Sequence, residues 1–292
     1  MNSMSKEKKK KFGLFKFILA LILIGLFIFA YGAYIEPKQF KVNEQKIESS
    51  KITDNFDGFK IVRISDIHYG NLFGLKDLKK LVNRINELNA DIVVLTGDLI
   101  DKSTKMTTSM ASEMASELNK IEATSGKYAI TGEDDVKFDE WSNIINNGGF
   151  IDLNNNYDTI YKNGYDFILI AGVSSFEDKE SIVNKNQKTQ NFINSFEKDG
   201  PIYNILLMHE PDYIDDLEDN KYDLILAGHS HNGQINIPLV KDFLIPEGAV
   251  KYSNGHYKLE NSDLYVSNGI GVSDVNFRLF NTPSIDVYRL VK

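Results

Sequence analysis

Hydrophobic and polar positions change their period along the chain, and from residue 59 onward strand-like and helix-like segments alternate. Residues 59–65 form an apolar run rich in β-branched side chains, and residues 91–96 form a second one. Between them, leucine, isoleucine and valine recur at helical spacing over residues 75–88. A buried strand, an amphipathic helix and another buried strand predict a βαβ unit with parallel strands.

The alternation continues to the C-terminus. It predicts a helix over about 104–123, a strand over 127–131, a short helix around Trp141, strands within 152–173, a polar helix near 181–199, strands over 203–208 and 222–227, and short strands from about 235 to 291. No repeat or linker interrupts this order. The pattern predicts one α/β domain over residues 54–292, a sandwich whose late part is mostly β.

The N-terminus is a separate segment. Six lysines within residues 1–16 precede a run without charge from Phe17 to Ile35. Nineteen helical residues span about 30 Å, the thickness of the hydrocarbon core of a bilayer. The alternative is a cleaved signal peptide ending near Gly32, but its apolar core is usually only about 7–15 residues long. We therefore expect a transmembrane signal anchor over residues 17–36.

Charge predicts the orientation of this anchor. Lysines stay on the cytoplasmic side, so residues 1–16 are expected in the cytoplasm and the remainder outside it. Residues 37–53 are polar and predict a short tether that leads into an edge strand. The expected location is the cell membrane, with a single pass and an extracytoplasmic domain.

Composition restricts the chemistry. The chain has no cysteine, so any metal must be bound by His, Asp, Glu or Asn. Residues 1–36 contain six of the 33 basic and two of the 41 acidic residues, which leaves 27 and 39 and a net charge of −12 for the rest. Such a domain repels polyanions, so stable nucleic-acid binding is not expected. A pocket filled with cations could still bind a small phosphate ester.

Polar side chains follow five of the predicted strands. The sequences at these strand ends are Asp66-Ile67-His68, Gly97-Asp98, Gly132-Glu133-Asp134-Asp135, His209-Glu210 and Gly228-His229-Ser230-His231. The carboxyl ends of parallel strands border the crevice where α/β sheets bind ligands, so these loops should converge. If the Asp-x-His and His-x-His segments are extended, both side chains of each pair face one side.

The distribution of histidines strengthens this interpretation. Four of the five in the chain directly follow apolar strands, and only His256 does not. A single Asp-x-His or Gly-Asp is more often a turn than a metal site. Five such loops in order are far more specific.

In this order the motifs resemble those of the calcineurin-like metallophosphoesterases, in the bacterial-type branch that has an N-terminal membrane segment. The resemblance covers about residues 57–292 and implies a four-layer α/β/β/α sandwich. It implies that Asp66, His68 and His231 hold one divalent ion, that His209, His229 and residue 133 hold a second, and that Asp98 bridges the two. Imidazole ligands favour Mn, Fe or Zn, although the identity of the ions stays open.

One loop departs from the family pattern. The family has Gly-Asn-His followed by Asp or Glu, in which Asn binds the second ion and His contacts the phosphate. Here Glu133 and Asp134 occupy those positions. Glu133 is a competent ligand, and Asp134 replaces the catalytic imidazole only if its pKa is raised. Three other interpretations of this loop are open. It is an ordinary solvated turn, it belongs to a site that has lost activity, or it belongs to an enzyme whose leaving group needs no proton.

Two functions follow from these features. The first is a metal-dependent phosphohydrolase that cleaves phosphodiesters or pyrophosphates in preference to monoesters, with substrates derived from the envelope or from nucleotides. The second is a non-catalytic, metal-binding phosphate sensor or scaffold on the same fold. Nothing in the sequence indicates the oligomeric state.

Overall fold

The protein, described by a computed structural model over residues 2–162, 164–175, 181–196, 202–217, 220–238 and 240–292, contains two six-stranded sheets. The first sheet has the order β1 (Lys41–Glu48), β12 (Ser284–Val291), β2 (Lys60–Ile64), β3 (Ile92–Thr96), β4 (Lys127–Ile130) and β5 (Ile151–Asp152). The second has the order β10 (Gly255–Lys258), β11 (Asp263–Val266), β9 (Leu224–Ala227), β8 (Asn204–Leu207), β7 (Phe167–Gly172) and β6 (Asn156–Tyr161).

Parallel strands occupy the centre of each sheet. β2, β3, β4 and β5 run parallel to one another, as do β7, β8, β9 and β11. Antiparallel partners flank them: β12 beside β2, β6 beside β7, and β10 beside β11. The carboxyl ends of the central strands therefore lie along one edge of each sheet, as the predicted βαβ unit requires.

The two sheets pack face to face and helices cover their outer faces. In β3, Ile92 and Val94 point between the sheets, while Val93 and Leu95 point toward the helices α2 (Leu75–Asn86), α3 (Thr108–Leu118) and α4 (Trp141–Asn147). On the other side, α5 (Ile182–Phe196) packs on the second sheet. The period-two alternation of buried side chains produces these layers, and the four-layer α/β/β/α sandwich is confirmed.

Some predicted elements differ in extent. The helix predicted over 104–123 is shorter, because the Thr107 side chain accepts a hydrogen bond from the backbone N–H of Met110 and caps α3 at its start. Much of the region from 235 to 283 forms loops rather than strands. The end of the helix predicted near 181–199 lies outside the described residues.

The N-terminal helix α1 (Asn2–Ala30) continues into a turn of π-helix over Tyr31–Ile35. The helical segment Phe12–Lys38 is long and apolar enough to cross a membrane, judged by length and composition. Residues 37–53, predicted as a tether that leads into an edge strand, contain β1. β1 lies at the edge of the first sheet and pairs along its whole length with β12.

Candidate metal centre

The five polar loops converge beyond the carboxyl ends of the strands. Among the described residues, three sets of side chains have ligand atoms within 4.8 Å of one another and could hold a metal ion: Asp66, His68 and His231; Asp98, His209 and His229; and His68, Asp98 and Asp134. Each of these side chains is buried. Residues separated by up to 165 positions in the sequence thus meet in one place.

Asp98 belongs to the second and third sets and also lies close to His68 of the first. Its Oδ2 is 3.3 Å from Nε2 of His209 and 3.6 Å from Nε2 of His68. Nε2 of His68 is also 3.0 Å from Nε2 of His231. Two nitrogens that bind the same ion at about 2.1 Å are separated by roughly 3 Å when the angle between the two bonds is near 90°. The spacing of the free side chains is therefore already close to that of a ligand set.

The backbone at these positions is left-handed. Asp66, His68, His229 and His231 have φ of 53°, 48°, 71° and 45°, and Asp98 has φ of 51°. The expectation of extended Asp-x-His and His-x-His segments is therefore wrong, although both side chains of each pair do face the same site. Non-glycine residues with positive φ cost conformational energy and cluster at functional sites.

Two glycines permit the close approach of the loops. A Cβ on Gly97 would lie 2.4 Å from Nδ1 of His209, and one on Gly132 would lie 2.2 Å from Oδ1 of Asp98. Both distances are shorter than real contacts, so a side chain at either position would push the candidate ligands apart. The Gly-Asp and Gly-Glu sequences are thus explained by packing around Asp98.

Backbone carbonyls orient two of the imidazoles. Nδ1 of His209 lies 2.7 Å from the carbonyl of Thr96, and Nε2 of His229 lies 2.8 Å from that of Glu247. Carbonyls only accept, so these nitrogens donate, and each ring leaves its other nitrogen without a proton when neutral. Those free nitrogens, Nε2 of His209 and Nδ1 of His229, face the cluster and are suited to a metal ion.

An unsatisfied atom tests whether cations fit. Oδ2 of Asp66 is buried and makes no hydrogen bond. An orphaned buried acceptor is costly, and this one belongs to a set that could hold an ion. Imidazole and carboxylate donors together suit Mn, Fe or Zn. The residues present therefore fit two divalent ions.

The shifted pKa values of the buried acidic and imidazole groups also favour bound cations. Burial raises the pKa of Asp98, but the charge and hydrogen bond of His209 and the charge of His68 outweigh it and hold that pKa below its usual range. Burial lowers the pKa of His209, but Asp98 and Asp66 raise it well above the ordinary value. In the metal-free chain, protons on imidazoles neutralise the buried carboxylates, a role that bound cations take over.

Glu133 and Asp134 have different surroundings. Glu133 remains 38% exposed, with Oε1 4.0 Å from Nδ1 of His229. Asp134 is buried: Oδ2 lies 3.4 Å from Nδ1 of His68, and Oδ1 lies 3.2 Å from the ammonium of Lys137. Its carboxylate therefore lies beside Nδ1 of a candidate ligand, and its replacement of the family imidazole at the phosphate stays a prediction.

The sequence did not predict the roles of two further carboxylates, Asp135 and Asp101. Asp135 accepts hydrogen bonds from the backbone N–H groups of Leu99, Ile100 and Gly132, so it joins the second and third polar loops. Oδ2 of Asp101 lies 3.4 Å from Nδ1 of His68. The run of three acidic residues was the sequence signal that could have indicated a role for Asp135. No comparable signal surrounds Asp101.

A cleft of about 230 Å³ opens above the cluster. Its described lining residues are Asp98, Glu133, His229, Ser230, His231, Gln234, Phe243, Leu244, Ile245, Pro246, Ser273, Asp274 and Val275. Candidate ligands form its floor, and an apolar segment forms one wall. A larger groove of about 570 Å³, bordered by α3 and α4, is lined by none of the candidate ligands.

Comparison with known proteins agrees with this geometry. Residues 59–233 match the family model for calcineurin-like phosphoesterases. The chain is 32% identical to the uncharacterized metallophosphoesterase YkuE of Bacillus subtilis, with 99% of both chains covered. It is 27% identical to a Danio rerio transmembrane protein with a metallophosphoesterase domain, covering 97% of this chain and 64% of that protein. It is 24% identical to phosphodiesterase YaeI of Escherichia coli, covering 90% and 93%.

Proposed function

Because the chain belongs to the calcineurin-like phosphoesterase family and is a metal-dependent phosphoesterase, we propose that its site binds two divalent ions and hydrolyses phosphodiesters or pyrophosphates in preference to monoesters. The ligands proposed for one ion are Asp66, His68 and His231. Those proposed for the other are His209, His229 and Glu133. Asp98 bridges the two ions.

The position of Asp98 carries this proposal. Its carboxylate lies within 3.6 Å of an imidazole from each set, and it is buried between them. One carboxylate oxygen can be shared by two cations, and the charge of the carboxylate offsets their mutual repulsion. When bound, such a pair of ions lowers the pKa of water to near neutrality and stabilises the attacking and leaving oxygens of an in-line displacement.

The chain's own residues fix the geometry of the reaction. The carbonyls of Thr96 and Glu247 hold the rings of His209 and His229 with the proton away from the cluster. Asp134 and Asp101 lie against Nδ1 of His68 and hold its Nε2 toward Asp98. These contacts position ligands before substrate arrives, so little reorganisation is needed during the reaction.

The replaced loop bears on the substrate class. With the Asp134 carboxylate directed at His68, the loop presents no imidazole to protonate a leaving oxygen. Leaving groups that depart as stable anions, such as a phosphate or a sugar phosphate, tolerate this loss. The name of the Escherichia coli relative, phosphodiesterase, supports an ester with two substituents.

The N-terminal helix supports attachment to a membrane. It is long and apolar enough to span a bilayer, and the Danio rerio relative is named as a transmembrane protein. The lysines before the helix favour a cytoplasmic N-terminus and an extracytoplasmic site. Because the chain has no cysteine, Tyr165→Cys introduces one label site on the domain. We expect it to react with an impermeant maleimide on intact cells; reaction only after lysis would overturn this orientation.

Activity is tested on two esters with the same leaving group. Full-length protein is treated with chelator and resupplied with Mn²⁺, and p-nitrophenolate release is measured from methyl p-nitrophenyl phosphate and from p-nitrophenyl phosphate. We expect metal-dependent turnover, faster on the diester. His229→Ala should abolish turnover, whereas His256→Ala, an exposed histidine paired with Asp263, should not. Metal binding without turnover of either ester would favour the sensor or scaffold instead.

A further inference from the structure

Building on the proposed function, we propose that the natural substrate is an amphiphile, a phosphoester whose apolar chain remains in the bilayer while its phosphate reaches the metal centre. The observation behind this is that the apolar wall of the cleft continues into the segment that contacts the outer end of α1. The site would then open at the surface of the membrane.

The wall consists of exposed and half-buried apolar side chains. Phe243 is 88% exposed and Val275 is 37% exposed, and both line the cleft together with the candidate ligands. Leu244, Ile245 and Pro246 extend the wall beyond Phe243. Apolar side chains exposed beside a polar reaction centre mark a surface with an apolar partner.

The location of the wall identifies that partner. Val275 precedes Phe277 by two residues, a distance of at most about 8 Å along the chain. The ring of Phe277 stacks on that of Phe29, in the last turn of α1, with centroids 5.8 Å apart. Phe280, 65% exposed, follows in the same segment. Each headgroup layer of a bilayer is about 5–8 Å thick. A cleft this near the end of a spanning helix therefore lies close to the headgroups of the membrane.

Charge favours an amphiphile over a nucleotide. The described lining residues include no lysine or arginine, and the nearby ammonium of Lys102 is paired with Asp274 at 2.5 Å. Among the described lining residues, a substrate with several phosphates would find cations only at the metal centre, within a domain of net charge −12. One phosphoester with an alkyl chain places its charge on the ions and its chain along Phe243 and Val275.

The test uses two diesters that differ only in the alkyl chain, methyl and hexadecyl p-nitrophenyl phosphate. In each, water attacks phosphorus, the bond to the aryl oxygen breaks, and the products are alkyl phosphate and p-nitrophenolate. Full-length protein with Mn²⁺ is reconstituted in phosphatidylcholine vesicles. We expect kcat/KM for the hexadecyl ester to exceed that for the methyl ester by about tenfold or more, the scale of burying part of an apolar chain.

Variants of the wall make the test specific. In Phe243→Ser and Val275→Ser the ratio of the two kcat/KM values should fall about tenfold, because the alkyl chain loses its contact surface. Tyr165→Ser, which removes a 97% exposed aromatic ring from the turn between β6 and β7, should leave the ratio unchanged. Hydrolysis of the methyl ester with a ratio that no wall variant alters would overturn this inference and leave the proposed function standing. Failure to hydrolyse either ester would overturn both.

A second measurement does not depend on activity. Because the chain has no cysteine, Phe243→Cys and Tyr165→Cys each carry a single fluorophore. In vesicles containing a lipid with a nitroxide near the headgroup, we expect quenching at position 243 and none at position 165. Equal quenching at both positions, or quenching at neither, would show that the wall does not face the bilayer.

Discussion

Nη2 of Arg278 lies 3.1 Å from Nδ1 of His231, so a buried cation lies directly behind a candidate metal ligand. The guanidinium is fully buried, and its other donors reach the carbonyls of Gly271 and Asn268. Burial lowers the pKa of Arg278 to about 10, against the charges of Asp66 and Glu36, so it remains protonated at neutral pH. We infer that Arg278 is a positioning residue for the ring of His231.

We expect Arg278→Lys to weaken metal binding about 10- to 100-fold, the usual effect of removing a partner of a ligating histidine. Lysine keeps the charge but loses the planar fork that reaches several carbonyls at once. Metal titration by calorimetry measures the effect. Arg289→Lys, on an exposed pair with Glu44, is the matched control and should bind metal normally. Unchanged affinity in Arg278→Lys would rule out the positioning role.

Glu36, just beyond the N-terminal helix, is coupled to the same segment. Its buried carboxylate accepts hydrogen bonds from the backbone N–H groups of Phe280 and Asn281 at 3.0 and 2.7 Å. Nδ2 of Asn281 in turn donates to the carbonyl of His231 at 2.6 Å. The segment after the N-terminal helix and the candidate metal centre are therefore connected through two hydrogen-bonded steps.

We expect Glu36→Ala to lower the free energy of unfolding by about 2 kcal/mol or more, since two buried N–H groups lose their acceptor. Metal affinity should fall in parallel because the segment that holds His231 loosens. Thermal unfolding with and without Mn²⁺ measures both effects. Glu44→Ala removes a carboxylate from an exposed pair and should change neither. A Glu36→Ala protein with wild-type unfolding temperature and metal affinity would refute the coupling.

Glu133 and Asp134 should affect different ions. Glu133→Ala removes a proposed ligand beside His229 and should reduce occupancy to nearly one ion per chain. Asp134→Ala removes the carboxylate beside Nδ1 of His68 and should weaken binding of the other ion about 10- to 100-fold. Asp139→Ala, exposed in the same loop, is the control. Metal analysis after dialysis decides; full occupancy in Glu133→Ala would show that this loop is only a turn.

Metal-free protein should lose stability as pH rises. Burial lowers the pKa of His68, but the carboxylates of Asp101 and Asp134, each 3.4 Å from Nδ1, and the charges of Asp98 and Asp66 raise it to about 10. The unfolded value is about 6.5. A folded pKa above the unfolded one stabilises the fold fully below pH 6.5, and that contribution disappears as pH rises through 10.

Calorimetry with chelator should therefore show a falling unfolding temperature between pH 7 and 10. An ion that displaces this proton binds more tightly as pH rises, by about tenfold per pH unit for one proton. Protein saturated with Mn²⁺ should show a weaker pH dependence of stability over the same range. A metal-free unfolding temperature that is constant or rises from pH 7 to 10 would contradict the assignment of a protonated His68.

The sequence predicted the layers and the set of loops, because strand alternation and strand-end polarity are local patterns. It did not predict the left-handed backbone at Asp66 and His68, which depends on the close approach of neighbouring loops. Nor did it predict the roles of Arg278 and Asp101. Arg278 contacts His231 from a distant part of the chain, and Asp101, which contacts His68, belongs to no motif. The motif gave the position of Asp134 in the chain but not the direction of its side chain.

The number of bound ions tests the central claim, that Asp98 bridges two divalent cations. Metal analysis of full-length protein equilibrated with Mn²⁺ should find two ions per chain. Asp98→Asn, nearly isosteric, should hold fewer than two and lose hydrolysis by several orders of magnitude, because a neutral amide cannot offset the repulsion of two dications. Two bound ions and wild-type turnover in Asp98→Asn would contradict the account.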